Sequence, residues 1–177
     1  MKKLLSVVLT AVMALSLSAK TTYVVWNDSA PEADEVWINT SYYIWENTYT
    51  QTNVDDALQL TSAGKGWIGG GYVSVAPFDN GVLTDGYDLV FDIKTTDKKE
   101  LSVQLTSDKP EAAQSVKLSF DRNGEWHTVK LSVKKSFPKV FNAWKQPGAH
   151  GYIFSIVGGA SEGAKVYLRN IRYQKSR

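Results

Sequence analysis

The period of the apolar residues constrains this chain more than any other feature. Between residues 87 and 156 they recur at every second position, in run after run: Leu89, Phe91 and Ile93; Leu101, Val103 and Leu105; Val116, Leu118 and Phe120; Val129, Leu131 and Val133; Tyr152, Phe154 and Ile156. Side chains two apart share one face of a strand, so each run predicts a half-buried β-strand. The intervening Ser, Thr, Gln, Lys and Asp form a solvated second face. Turn signals separate the runs: Asp97-Lys98-Lys99, Ser107-Asp108-Lys109-Pro110, Asn123-Gly124 and Gly158-Gly159. Asn123-Gly124 between two alternating runs predicts a hairpin. No segment sustains a 3.6-residue period for three turns, and Val54 to Leu60 reads either as one helical turn or as an edge. Many short strands between frequent turns predict an all-β fold, a two-sheet antiparallel β-sandwich with jelly-roll topology.

The N-terminus has a separate purpose. Lys2 and Lys3 precede an apolar run that ends in Ser16-Leu17-Ser18-Ala19. That is the pattern of a secretory signal peptide, and the run is shorter than the ~20 residues needed to span a bilayer. Residues 1–19 are read as the signal and residues 20–177 as a single domain, secreted or periplasmic. The chain has no cysteine, so neither a disulfide framework nor a cysteine-linked lipid anchor is available. The formal charge of +2 includes Lys2 and Lys3, and without them eighteen residues of each sign remain. A near-neutral domain argues against nucleic acid or an acidic membrane face as the partner.

Groups for catalysis are sparse. The two histidines, His127 and His150, lie far apart without metal-ligand spacing, and there is no Gly-x-Ser-x-Gly elbow. The glycines at 69–71 lack the helix and Lys-Ser/Thr that a phosphate cradle needs. Glu32, Asp34 and Glu35 follow Pro31 and read as a solvated acidic turn rather than a catalytic carboxylate pair.

Aromatic residues are abundant, with six Trp and nine Tyr. Sugars present flat C–H patches rimmed by hydroxyls, so a site for them needs aromatic planes together with amide, carboxylate or ammonium groups. The stretch GWIGGGYVSV sets Trp67 and Tyr72 on either side of three glycines. Regular alternation puts these two rings on opposite faces, and only a bulge within the glycines could bring them to one groove. Trp45 closes an aromatic run that begins at Trp37, whose core-facing parity is undecided. Trp144 lies in a connection with polar neighbours, where exposed aromatics carry function. Trp126 opens a strand and reads as the edge of the core. Asp92, Lys94 and Gln104 occupy polar parities of predicted strands. The binding candidates are therefore Trp45, Trp67, Tyr72 and Trp144 as stacking surfaces, with Asp92, Lys94 and Gln104 as polar contacts.

Val24-Val25-Trp26-Asn27-Asp28, Trp67-Ile68-Gly69-Gly70-Gly71-Tyr72, Gly124-Glu125-Trp126-His127-Thr128-Val129 and the closing Val166-Tyr167-Leu168-Arg169-Asn170-Ile171 together resemble the galactose-binding-domain-like β-jelly-roll carbohydrate-binding modules, in particular those appended to secreted bacterial β-glucanases. The resemblance spans nearly the whole mature chain. It implies a non-catalytic module that binds a polysaccharide or oligosaccharide, β-glucan-type, along a concave sheet, with no cofactor required for binding. It also implies one structural calcium near the chain ends. Asp28 matches the acidic position there, and Asn170 stands where an Asp is usual, one anionic donor fewer for a hard cation. Two other readings remain beside it: a structural or surface-assembly and adhesion protein whose aromatics bury an interface, and a jelly-roll glycan hydrolase or lyase.

Overall fold

A computed structural model describes residues 22–30, 32–74, 86–108, 112–146 and 148–176. The signal-peptide expectation over residues 1–19 lies outside the described residues, as does Val75 at the end of the glycine-rich stretch.

The strands form two sheets. The larger has the order β10 (His127–Ser132), β7 (Tyr87–Thr95), β12 (Lys165–Lys175), β1 (Thr22–Trp26), β2 (Glu35–Trp37). The first half of β12 also pairs with β5 (Ala57–Ser62), which carries β4 (Tyr49–Val54) at its edge. The smaller sheet has the order β3 (Ser41–Ile44), β6 (Trp67–Ser74), β11 (Gly151–Gly159), β8 (Leu101–Leu105), β9 (Gln114–Lys117). Among the described strand pairs only β1 with β2 is parallel. The sandwich predicted from the alternation is thus the observed architecture.

Its core lies between the sheets. Leu89, Phe91 and Ile93 of β7 face Phe154 and Ile156 of β11 and Val103 of β8, all almost fully buried. Phe91 and Phe154 meet edge to face at 5.2 Å. Burying each such side chain contributes about 1.5–3 kcal/mol.

Four local expectations change. The segment from Val54 to Leu60 is a strand hairpin, with the left-handed φ of 53° its turn requires falling on Asp55. Asn123-Gly124 does not close a hairpin, because β9 pairs with β8 in one sheet and β10 with β7 in the other. The connection crosses the sandwich, tied by the Gly124 amide donating to the Thr95 carbonyl. In β11 the register shifts between Tyr152 and Phe154, so Tyr152 leaves the parity of Phe154 and Ile156. Finally, the run through Val133 ends in two short helices, α1 (Val133–Ser136) and α2 (Pro138–Trp144). Their buried residues Val133, Phe137, Val140, Phe141 and Trp144 follow a helical spacing with Pro138 in the first turn.

Candidate functional site

The outer face of the larger sheet is built in register rows. One row runs Lys94 of β7, Tyr167 of β12, Gln59 of β5, Thr52 of β4. The next holds Thr128, Asp92 and Arg169. A third crosses the other half of the sheet: Lys130, Val90, Arg172, Val24, Trp37. At the ~4.8 Å spacing of neighbouring strands, this third row spans about 19 Å.

A bulge in β12 makes the second and third rows possible. The register shifts between Arg169 and Arg172, and Asn170 takes a φ of 54° there. Asn tolerates this left-handed conformation better than most residues. The extra residue lets Arg169 and Arg172 both face outward, while Leu168, Ile171 and Tyr173 all enter the core. The change of apolar spacing from two to three between Leu168 and Ile171 is the trace of the bulge in the sequence.

These rows assemble a cluster of aromatic and cationic groups. The Arg169 guanidinium carbon lies 4.2 Å from the Trp126 ring centroid. The Lys94 ammonium lies 4.7 Å from the Trp126 centroid and 4.7 Å from that of Tyr167. Cation–π pairs of this kind contribute about 0.5–2 kcal/mol each and fix the planes of the rings. Behind them, Asp92 accepts hydrogen bonds from Thr128 Oγ1 at 2.7 Å, Asn170 Nδ2 at 2.7 Å and Arg169 Nε at 3.3 Å. Arg169 also pairs with Asp56 through Nη1. No carboxylate pairs with Lys94 among the described residues, so its three donors are open to a ligand's oxygens. Hollows flank the cluster. One of about 330 Å³ is lined by Lys94, Tyr167, Thr95, Gly124 and Lys165. Another, of about 390 Å³, lies by Trp26, Glu32, Asp34, Glu35, Asn170 and Arg172.

The seven binding candidates do not form one site. Asp92 and Lys94 lie in this cluster, with Asp92 behind Arg169 as an anchor. Trp45, Trp67 and Gln104 lie on the outside of the opposite sheet, since β6 buries Ile68 and Tyr72 and β8 buries Leu101, Val103 and Leu105. Tyr72 and Trp144 are core residues, contrary to the expectation of stacking surfaces. Tyr72 is 6% exposed and packs against Tyr42, with ring centroids 4.8 Å apart. The register of β6 with β11 runs unbroken through Gly69 to Gly71, and that with β3 through Gly70 and Gly71, so the glycines hold no bulge to turn the ring outward. Trp144 is 1% exposed, because helix α2 carries it inward, where its Nε1 donates to the Thr106 carbonyl at 3.0 Å.

Trp126, Tyr167 and Arg169 belong to the cluster, yet the sequence reading missed them. Trp126 shares the parity of Thr128 and Lys130, which was the available signal for an outward ring. Of the two residues expected at a calcium, Asp28 is exposed and Asn170 Nδ2 donates to Asp92, and among the described residues no three His, Cys, Asp or Glu gather as metal ligands. The acidic turn is seen as read: Glu35 Oε2 accepts from the Glu32 amide at 3.0 Å.

No protein-family model matches the sequence, and no curated protein matches it. Solved structures do. The chain is similar to a family 29 carbohydrate-binding module at a TM-score of 0.54 and 14% identity, over 88% of this chain and 89% of that one. A variant of such a module complexed with mannohexaose matches at 0.52 and 13%, over 88% and 92%. A family 29 module from Piromyces equi matches at 0.50 and 13%, over 78% and 85%. At these identities the likeness is one of fold: this chain has the β-jelly roll of those modules.

Proposed function

We propose that this protein is an exported, non-catalytic carbohydrate-binding protein that holds a polysaccharide chain across the outer face of its larger sheet. The observation that carries the reading is the cluster of Trp126, Tyr167, Lys94 and Arg169. It combines half-buried rings, braced by cations, with the Lys94 ammonium that no carboxylate among the described residues claims, and this is the pairing of planes and polar groups that sugar recognition requires. Trp37, 40% exposed at the far end of the third row, offers a second stacking ring. The fold neighbours support a carbohydrate ligand, and one of them is complexed with mannohexaose. A β-glucan-type or mannan-type backbone, uncharged and extended, suits a face about 19 Å across whose third row carries no carboxylate. Binding without turnover fits those acids, because Asp92 and Asp56 are both held by Arg169. Export rests on the basic and apolar pattern of residues 1–19.

Affinity electrophoresis in gels containing β-glucan, mannan or xylan tests the reading, followed by calorimetry with mannohexaose and cellohexaose. We expect retardation by at least one polysaccharide and a loss of at least tenfold in affinity in Trp126→Ala. A Trp126→Ala protein that binds like the wild type, or a wild type that no polysaccharide retards, would refute it.

A further inference from the structure

We infer, resting on the binding reading proposed above, that the glycan held by the larger sheet carries an acidic sugar unit, and that Lys94 and Lys165 take its carboxylate in the hollow beside Tyr167. The charges of the cluster do not balance. Arg169 is matched by two acids, since Asp56 and Asp92 both pair with it. Lys94 and Lys165 pair with no carboxylate among the described residues. Both line the hollow of about 330 Å³, whose remaining walls are Tyr167, two threonines, two glycines and Ala164, with no Asp or Glu among them. The acids nearest in the chain stand outside it. Asp97 accepts from the Ser161 amide at 2.7 Å, the Ser161 hydroxyl at 3.1 Å and the Lys99 amide at 3.3 Å. Glu162, next to Gly163, lies against Gly64, and the exposed Glu125, next to Gly124, is not part of the wall.

The sequence builds this hollow at the end of β7 and the start of β12. Lys165 and Tyr167 lie two apart on the outward parity of β12, and Lys94 stands opposite Tyr167 on β7. Gly124 and Gly163 have φ of 86° and 67°, in the left-handed region that glycine favours, so tight turns without side chains form part of the rim. Hydrogen bonds tie the rim together. Thr95 Oγ1 donates to the Lys165 carbonyl at 2.8 Å, and the Gly124 amide donates to the Thr95 carbonyl at 3.2 Å. Lys94 is in place before a ligand arrives, because its ammonium stands 4.7 Å from the ring centroids of both Trp126 and Tyr167. A side chain ordered in advance loses less freedom on binding.

Two ammonium groups without a counter-charge favour an anion over a neutral hydroxyl, since a charge-assisted hydrogen bond is about twice as strong as a neutral one. Tyr167 decides which anion. Its half-buried ring is part of the wall and gives a sugar face a plane to lie on, so the carboxylate that fits is one attached to a sugar ring. The volume lies at the small end for ligand sites, which suits a single acidic unit on an otherwise neutral chain. Because the hollow is open to solvent, salt screens the attraction and makes it measurable.

Calorimetry compares mannohexaose and cellohexaose with the same hexaoses oxidised at one C6 alcohol to a carboxylate, the singly charged product being isolated by anion exchange. We expect the oxidised form of whichever backbone binds to bind about three- to tenfold more tightly in about 0.02 M chloride, and this preference to shrink toward none in about 0.5 M chloride. In Lys165→Gln the ratio of the two affinities should fall to about one, a readout that general damage to the face would not move, since it weakens both forms alike. Equal affinities for the neutral and oxidised forms, or a preference that survives in Lys165→Gln, overturns this inference and leaves the binding reading standing. A preference abolished by sulfate at the ionic strength of the low-chloride buffer assigns the hollow to a free anion and overturns it equally. No binding of any of the four hexaoses overturns both.

Discussion

Asp92 shows how one residue can brace the proposed binding face through its neighbours. Its carboxylate takes three donors, from Thr128, Asn170 and Arg169, and so fixes both the bulge of β12 and the guanidinium that braces Trp126. Removing it takes the acceptor from those donors in a part-buried setting, at a cost of about 1 kcal/mol or somewhat more. We expect Asp92→Ala to lower stability by that amount in urea denaturation and to weaken glycan binding with it; a variant that loses stability but binds normally would show that the brace is not needed. Trp144 is the contrasting case. Truncating it empties the space beside Tyr173, whose ring lies 6.3 Å away, and breaks the bond to Thr106. Trp144→Ala should cost about 3–5 kcal/mol, and the folded fraction should bind sugar as the wild type does. The two tryptophans were read the wrong way round from sequence, Trp144 as outward and Trp126 as core edge. Polar neighbours in a chain report the flanks of a residue and not its own direction, and parity, which does report direction, favoured the outward reading of Trp126.

At the scale of the element, β6 shows three neighbouring glycines required for three different reasons. Gly69 leaves room for two indoles, Gly70 for the Tyr49 hydroxyl, and Gly71 for the backbone of β11, whose Phe154 carbonyl oxygen would lie 2.0 Å from an added Cβ. Side-chain tips can move aside, but the backbone of a paired central strand cannot do so without loss of hydrogen bonds. Gly71→Ala should therefore destabilise by about 3 kcal/mol, at the upper end for overpacking, and Gly69→Ala by clearly less; equal midpoints in urea for the two variants would contradict this account. The alternation of β7 and β8 was legible because regular pleating has no exceptions there. The bulges in β11 and β12 were not read, although the Leu168-to-Ile171 spacing carried one of them. The helices α1 and α2 were missed because neither sustains the 3.6-residue period for three turns.

For the molecule as a whole, the tyrosines make stability sensitive to alkali. Tyr42 and Tyr72 of the smaller sheet lie together with Tyr49 of β4, and Tyr173 lies fully buried with its hydroxyl donating to the Ile153 carbonyl. Burial raises the hydroxyls of Tyr42, Tyr72 and Tyr173 well above the usual phenol range. For Tyr49 burial outweighs the opposing hydrogen bond with Tyr42, and the group is pushed up to about 12. Above the ordinary phenol value of ~10 the unfolded chain binds fewer protons than the folded one, so stability falls as pH rises. The contribution of Tyr49 is complete below pH ~10 and declines through pH 12; thermal melting followed from pH 8 to 12 should show a steepening loss above 10, and a flat profile would contradict it.

The chain by itself determined that it folds as a β-sandwich and which residues of each regular strand share a face, because that parity follows from the covalent geometry of an extended backbone. The tertiary structure decided which face meets the core, where bulges reverse the parity, and which strands become neighbours. Those depend on pairings between residues far apart in sequence, which no local pattern encodes. For that reason residues read as one binding set separate onto the outer faces of both sheets, with two rings within the core.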